Sequence, residues 1–310
     1  MSADKAWLDH DHQNDVHRDS YHQAPIIGYH RAPLSQKFGA PRQPNLVALM
    51  SVIEMVAPYD VPEAFVGLEH FSHLWLSWQF HHNYIKQDKA KQNETKGHSN
   101  ERHNEQSDTA NANSTTFRPQ VRPPRLGGNQ KVGVFASRSM YRPSALGLSV
   151  VKLERIEVIE GRVLLMISGA DMIDGTPIID IKPYIAYSDA VADAKSGFAT
   201  AALEKLVVQM TDTAKQQFMQ IAHEQQQAQQ NADKQPSTHD SVLYRLQSRL
   251  IDADIERIKD LIAYDPRPAY RRDEMNTTFI MRYKSVDVSF QLIESGQLQI
   301  TAVVEVKDAL

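Results

Sequence analysis

"DGTPIIDIKPY", residues 174–184, reads as a strand, with β-branched Ile178, Ile179 and Ile181 following the turn signal Asp174-Gly175. Side chains on a strand alternate between faces, which predicts Ile178, Asp180, Lys182 and Tyr184 on one side and Ile179 and Ile181 on the other. One face is expected to bury while the other carries an acid, a base and a phenol. Runs of the same kind occupy residues 26–30, 48–56, 73–82, 131–136, 148–160 and 162–170, separated by glycine and proline turns with little helical periodicity. Many short strands in succession predict a mostly β barrel or sandwich, and we assign it to residues 25–190.

The pattern changes beyond that point. Residues 199–222 run without a helix breaker, and residues 241–263 repeat Leu243, Leu246, Leu250, Ile255, Ile258 and Ile262 at helical spacing, so two helices are expected. "TTFIMRYKSVDVSFQLIE" and "QLQITAVVEV" then alternate as strands around Ser295-Gly296. Residues 191–310 are therefore expected to form a small α+β domain.

Two stretches, 86–116 and 223–240, are almost free of apolar residues and are expected to be flexible insertions, because neither can offset its ordering entropy by burial. Residues 1–24 hold His10, His12, His17 and His22 among acids and amides, and we expect a disordered tail with no metal site. With 310 residues, two domains each have room for a core. The chain has no cysteine, which excludes disulfides, thiol nucleophiles and cysteine-ligated metals. No apolar run has the length of a membrane helix or a signal peptide core, so we expect a soluble, cytoplasmic protein without a membrane partner.

The net charge is −4, yet residues 117–152 contain no acid and carry Arg118, Arg122, Arg125, Lys131, Arg138, Arg142 and Lys152. Interleaved prolines and glycines make this a loop region that either binds a polyanion or is merely a solvated surface. "FGAPRQPNL", residues 38–46, holds Arg42 and Gln43 between prolines that stiffen the backbone, as suits a ligand loop or an ordinary turn. In "HLWLSWQFHH", residues 73–82, Leu74, Leu76, Trp78 and Phe80 share one parity, while His81 and His82 point to opposite faces and do not suit one metal. "DPRPAYRRDE", residues 265–274, is a second proline-framed basic segment, either touching nucleic acid or connecting domains rigidly. Glycine-rich nucleotide fingerprints, the Walker lysine motif, His-Glu-x-x-His and Gly-x-Ser-x-Gly are all absent.

Taken in order, "IGYHRAPLSQKFGAPRQPNL", "GLEHFSHLWLSWQFH", "VRPPRLGGN", "VGVFASRSMYRPSALGLSVVKL", "DGTPIIDIKPYIAYSD" and "DPRPAYR" resemble the TrmO family, also called YaeB or TsaA-like proteins. The resemblance implies a β-barrel methyltransferase domain with a small C-terminal domain, assembled as a homodimer. It further implies S-adenosylmethionine as cofactor and the N6 of threonylcarbamoyl-adenosine at position 37, in the tRNA anticodon loop, as methyl acceptor. Carried over by position, the implied cofactor site comprises Pro41, Arg42, Gln43, His81, His82, Arg138, Leu148, Gly169, Ala170, Asp171 and Met172. Asp174, Asp180, Lys182 and Tyr184 are nominated for catalysis, and Arg122, Arg125, Arg142, Arg267 and Arg271 for tRNA. Asp174 as a plain turn residue, and Asp180 paired with Lys182, stand as the structural alternatives. A non-catalytic RNA- or anion-binding barrel and a small-molecule methyltransferase are the competing functions.

Overall fold

The computed structural model describes residues 23–81, 117–230 and 238–306. Residues 1–22 of the histidine-rich tail, the stretch 86–116 and His82 lie outside the described residues. In chain order the strands of the first part are β1 (Gly28–Arg31), β2 (Met50–Met55), β3 (His73–Gln79), β4 (Gln120–Val121), β5 (Val132–Gly133), β6 (Leu146–Ile159), β7 (Arg162–Ser168) and β8 (Pro177–Pro183). Six of them close a barrel in the order β1-β2-β7-β6-β3-β8, every pair antiparallel, while β4 and β5 form a separate two-stranded ribbon. Closure removes the exposed edges that an open sheet of this length would present.

The inward parity follows the sequence pattern on β3, where Leu74 and Leu76 are fully buried and Trp78 nearly so. They pack with Ile53, Val151, Leu165, Ile167 and Ile178 to fill the barrel. Trp78 takes its space from Gly147 on the neighbouring strand, where an added Cβ would stand 2.1 Å from the indole ring. On β8 strict alternation fails. The β3–β8 register slips between Ser77, opposite Asp180, and Trp78, opposite Ile178, so Ile179 is an extra residue in a bulge. The expected face set of Ile178 with Asp180 is thereby corrected: Ile178 enters the core, Ile181 packs against that core, and Asp180 and Lys182 are exposed. The expected strand at 131–136 shrinks to β5, followed by a 3-10 turn at Val134–Ala136.

After a short helix α1 (Ala186–Asp189), the second part contains β9 (Val208–Met210), α2 (Asp212–Gln230), α3 (His239–Gln247), α4 (Asp254–Ala263), β10 (Phe279–Tyr283), β11 (Val286–Leu292) and β12 (Leu298–Glu305). The sheet order is β10-β11-β12-β9, with β9 parallel to β12. The helix expected over 199–222 begins only at Asp212, because the chain before it is drawn into the sheet as β9, an instance of tertiary pairing overriding local propensity. It continues to Gln230, so the first part of the polar stretch 223–240 is helical, and residues 231–237 lie outside the described residues. The helix expected over 241–263 is divided into α3 and α4. At the break Asp254, the first residue of α4, accepts the Ile251 N–H at 3.0 Å and so holds the connecting turn, while Tyr283 and Lys284 hold its carboxylate inside at 2.7 Å each.

The two parts share a core. Leu34, Val47 and Leu49 from the barrel side join Phe218, Ile258, Met281, Val288 and Phe290 in one buried cluster. On the barrel's outer wall Val242 of α3 packs on Val52, Leu164 and Met166.

Candidate cofactor site and nucleobase face

The proline loop 38–46 is positioned by the second part of the chain. Phe38 stacks against both Phe279 and Phe290, with ring centroids 6.3 and 6.1 Å away, and Gly39 (φ +92°) abuts Met281, whose sulfur would meet an added Cβ at 2.3 Å. Arg42 donates to the Arg267 carbonyl at 3.3 Å and reaches the Asp265 carbonyl at 3.5 Å. Beyond Pro44, Asn45 adopts φ +62° and ties the loop to the barrel: its N–H donates to the Gly169 carbonyl at 2.8 Å and its Nδ2 to the Val150 carbonyl at 3.0 Å. Gly169, at φ +81°, is required there, because a Cβ would sit 2.4 Å from Asn45 Oδ1.

This clamp delivers Gln43 to Arg138, whose guanidinium donates to Gln43 Oε1. Arg138 also lies close enough to Asp171 to stabilise its charge, although desolvation dominates and holds the Asp171 carboxyl above its ordinary range. Asp171 Oδ1 accepts from Ser149 Oγ at 2.6 Å, and Ser149 accepts from Trp78 Nε1 at 3.0 Å. Gln43, Arg138 and Asp171 thus converge, with Pro41, Arg42 and Leu148 on the elements around them. Ala170 and Met172 are buried in the barrel core, which leaves only their backbone to face a ligand. His81 follows the end of β3 and is partly buried.

Ser149 and Asn45 were not singled out in the sequence. A signal existed for Ser149, a lone hydroxyl on the inward parity of β6 beside Gly147 and Val151. Asn45 had none, because its role depends on a positive φ and on two loops meeting.

The residues nominated on β8 fall into separate groups. Asp174 lies in the turn before β8, and its Oδ1 accepts from the Ala32 N–H at 2.9 Å and from Gln247 Nε2 at 2.7 Å, stapling the barrel to α3. Asp180 and Lys182 emerge on the outer wall. Across the β6-β3-β8 wall Leu148, Ser77 and Asp180 form one row, and Val150, Trp75 and Lys182 the next. Two strand spacings separate Leu148 from Asp180, or ~10 Å, about the span of a nucleobase with its substituent. Tyr184 closes the patch, its ring 6.0 Å from Trp75 and 6.3 Å from His73. Trp75 donates to Asp189 at 2.9 Å, and Lys182 lies within electrostatic reach of the same carboxylate. Among the described residues no ion pair joins Asp180 to Lys182; Asp180 Oδ1 instead accepts its neighbour's Ile181 N–H at 2.9 Å.

Of the arginines assigned to tRNA, Arg122 and Arg125 are exposed on the ribbon and the turn after β4, Arg125 donating to the Ala201 carbonyl. Arg142 donates to the Leu146 carbonyl at the head of β6. Arg271 is held by Glu274 through two hydrogen bonds of 2.8 and 2.7 Å while stacking over Phe279 at 4.6 Å. Arg267 departs from the expectation. At 1 % exposure it is closed around Asp265, at 2.7 and 3.1 Å, and presents no guanidinium to a ligand. "DPRPAYR" is a structural knot that seats the proline loop.

The set of groups fits a zwitterionic adenosyl compound. A carboxylate suits an ammonium, a guanidinium and an amide suit a carboxylate, and exposed Leu148 offers an apolar surface to a purine. A closed β barrel with a proline-framed, carboxylate-and-guanidinium site outside any Rossmann sheet defines a class of methyltransferase, and the comparisons with known proteins agree. The family model described as the tRNA-methyltransferase O N-terminal domain matches residues 29–104 and 103–190, and that of the TrmO C-terminal domain matches residues 204–306. The chain belongs to the TrmO family. It is 37% identical over 86% of its length to a putative S-adenosylmethionine-dependent methyltransferase RcsF of Pseudomonas aeruginosa, covering 91% of that protein. It is 31% identical over 87% of its length to the tRNA (adenine(37)-N6)-methyltransferase of Escherichia coli, covering 93% of it. The crystal structure of TrmO from P. aeruginosa superposes with a TM-score of 0.61 at 29% identity, over 92% of this chain and 98% of that one.

Proposed function

We propose that the protein methylates the N6 of threonylcarbamoyl-adenosine at position 37 of tRNA, giving N6-methyl-threonylcarbamoyl-adenosine beside the anticodon and so tuning decoding. Membership of the TrmO family makes it an S-adenosylmethionine-dependent tRNA (adenine(37)-N6)-methyltransferase; the modified base and the decoding role are the further step. The observation that carries this step is the row of Leu148, Ser77 and Asp180 beside the Gln43–Arg138–Asp171 group, an open wall with both apolar and charged residues.

S-adenosylmethionine supplies an electrophilic methyl group when bound. Gln43, Arg138 and Asp171 would hold its amino-acid portion, while the 169–172 backbone and Leu148 would line the adenosine portion, with His81 at the strand end. The chain's remaining tasks are to align the adenine amine and to receive a proton. Asp180 is the exposed carboxylate available for that proton; Tyr184 is a second acceptor candidate. We assign Lys182 and Arg142 to the threonyl carboxylate or a phosphate. We assign Arg122, Arg125 and Arg271 to contacts with the tRNA backbone. We further propose a homodimer acting in the cytoplasm. Among the described residues no helix is long and apolar enough to cross a membrane, and no three metal-binding side chains cluster.

The test is nucleoside analysis of tRNA incubated with the protein and labelled S-adenosylmethionine. Arg138→Ala should lower kcat/KM by ~100-fold, since it removes both a charge-assisted contact and the partner of Asp171. A loss below threefold would remove Arg138 from the site.

A further inference from the structure

Between the barrel and the second part lies a cleft of about 240 Å³ that shares no residue with the Gln43–Arg138–Asp171 group. Its walls bring Arg245 and Arg249 from α3 and the turn after it, Arg257 from α4 and Lys284 from the β10–β11 turn to one place. Arg155 faces them from the barrel. Among the described residues no acidic side chain lines this space. The carboxylates that serve these cations lie behind or beside it: Asp254, fully buried, takes Lys284 at 2.7 Å and Arg257 at 2.8 Å, and Glu157 takes Arg155 at 2.5 Å.

Arg245 and Arg249 have no carboxylate among the described residues. Arg249 Nε is buried and lacks a hydrogen-bond partner, a costly state that a ligand oxygen would relieve. Desolvation, opposed by Asp254, lowers the Lys284 pKa, and the charges of Arg257 and Arg249 press in the same direction, so the cations share one field. The rest of the lining is apolar, with Leu49, Met166 and Leu246 among it. Convergent donors set in apolar walls describe a ligand with a small anionic head and an apolar or aromatic body.

We propose that this interdomain cleft is a second ligand site that binds a phosphate monoester or diester, with Arg249 and Arg245 on the phosphoryl oxygens and the apolar wall against its organic group. Lys284 and Arg257, which share the single carboxylate of Asp254, form the fixed rear of the site. The proposal does not depend on methyl transfer. Its location gives it a consequence: an occupant would touch the barrel wall, α3, α4 and the β10–β11 turn at once and would brace the two parts of the molecule against each other.

Calorimetric titration of the full chain with phenyl phosphate, inorganic phosphate and phenol tests it. Phenyl phosphate should bind, phosphate more weakly, and phenol not measurably. Arg249→Gln should weaken phenyl phosphate by about tenfold or more, and Arg245→Gln, at the exposed rim, by a smaller factor of about three. Arg138→Gln should leave the titration unchanged, which separates this site from the cofactor group. If Arg249→Gln fails to fold, Arg245→Gln carries the test alone. Equal binding of phenol, or unchanged phenyl phosphate affinity in the folded cleft variants, overturns the proposal. A free metabolite and an RNA phosphate offer the same chemistry, so a final arm adds saturating tRNA. Competition with phenyl phosphate that disappears in Arg245→Gln assigns the site to RNA, and simultaneous binding assigns it to a free phosphomonoester.

Discussion

His30 illustrates how a single residue registers the fold. It is 1 % exposed, its Nδ1 meets the Ile173 carbonyl at 3.1 Å, and its Nε2 has no partner among the described residues. Burial lowers its pKa to about 4, against the Ile173 hydrogen bond, which raises it. The folded state therefore holds fewer protons than the unfolded chain, whose histidine titrates near 6.5. The stability cost starts as pH falls below the unfolded value, grows down to the folded value and is complete beneath it, reaching about 3 kcal/mol. Denaturant titrations should find the wild type losing stability between pH 7 and 4 by about that much more than His30→Gln. Parallel pH profiles for the two proteins would contradict this. Gly169 is the second such position. Gly169→Ala should cost about 2 kcal/mol or more and weaken cofactor binding, since it strains a positive φ and collides with Asn45. Neither effect was legible in the sequence, because both depend on contacts between residues far apart in the chain.

At the scale of elements, the proline loop and β8 carry the candidate site, and each was half legible. Two prolines around Arg42 and Gln43 announced a stiff loop, but not that Phe38 and Gly39 would seat it on the second part of the chain. Phe38→Ala should lower stability by about 2 kcal/mol and also weaken S-adenosylmethionine binding, because the aromatic contacts that set the loop are lost. Weakened stability with cofactor affinity intact would mean the loop holds its shape alone. On β8 the polar residues were visible and their partition was not, since one bulged residue at Ile179 reverses a parity read from spacing. Asp174 fell on the same stretch yet belongs to a turn bonded to Ala32 and Gln247. Asp174→Asn and Gln247→Ala should each cost about 1 kcal/mol in thermal unfolding while folded protein stays active, and a collapse of kcat in Asp174→Asn alone would return Asp174 to the chemistry.

For the whole molecule, strand count and turn spacing were enough for a barrel, because alternation on β3 and the first half of β6 reports burial directly, while β7 is buried on both faces. The helical part was less legible: β9 exists only through pairing with β12, and the turn before α4 is held by Asp254, whose carboxylate meets Lys284 and Tyr283 from a distant hairpin. The ordered motifs were the strongest guide to chemistry, since composition alone led no further than a basic surface on a mostly β protein. The shared core joining Leu34, Val47 and Leu49 to the second part makes the molecule a scaffold in which the C-terminal sheet holds a barrel loop in place. The proposed reaction is methyl transfer to threonylcarbamoyl-adenosine at position 37. Its most direct test is mass spectrometry of nucleosides from tRNA reacted with the protein and methyl-labelled S-adenosylmethionine, comparing tRNA that carries threonylcarbamoyl-adenosine with tRNA that carries plain adenosine. The label should appear on the N6 of the threonylcarbamoyl nucleoside alone; label on plain adenosine to an equal extent, or on neither tRNA, would contradict it.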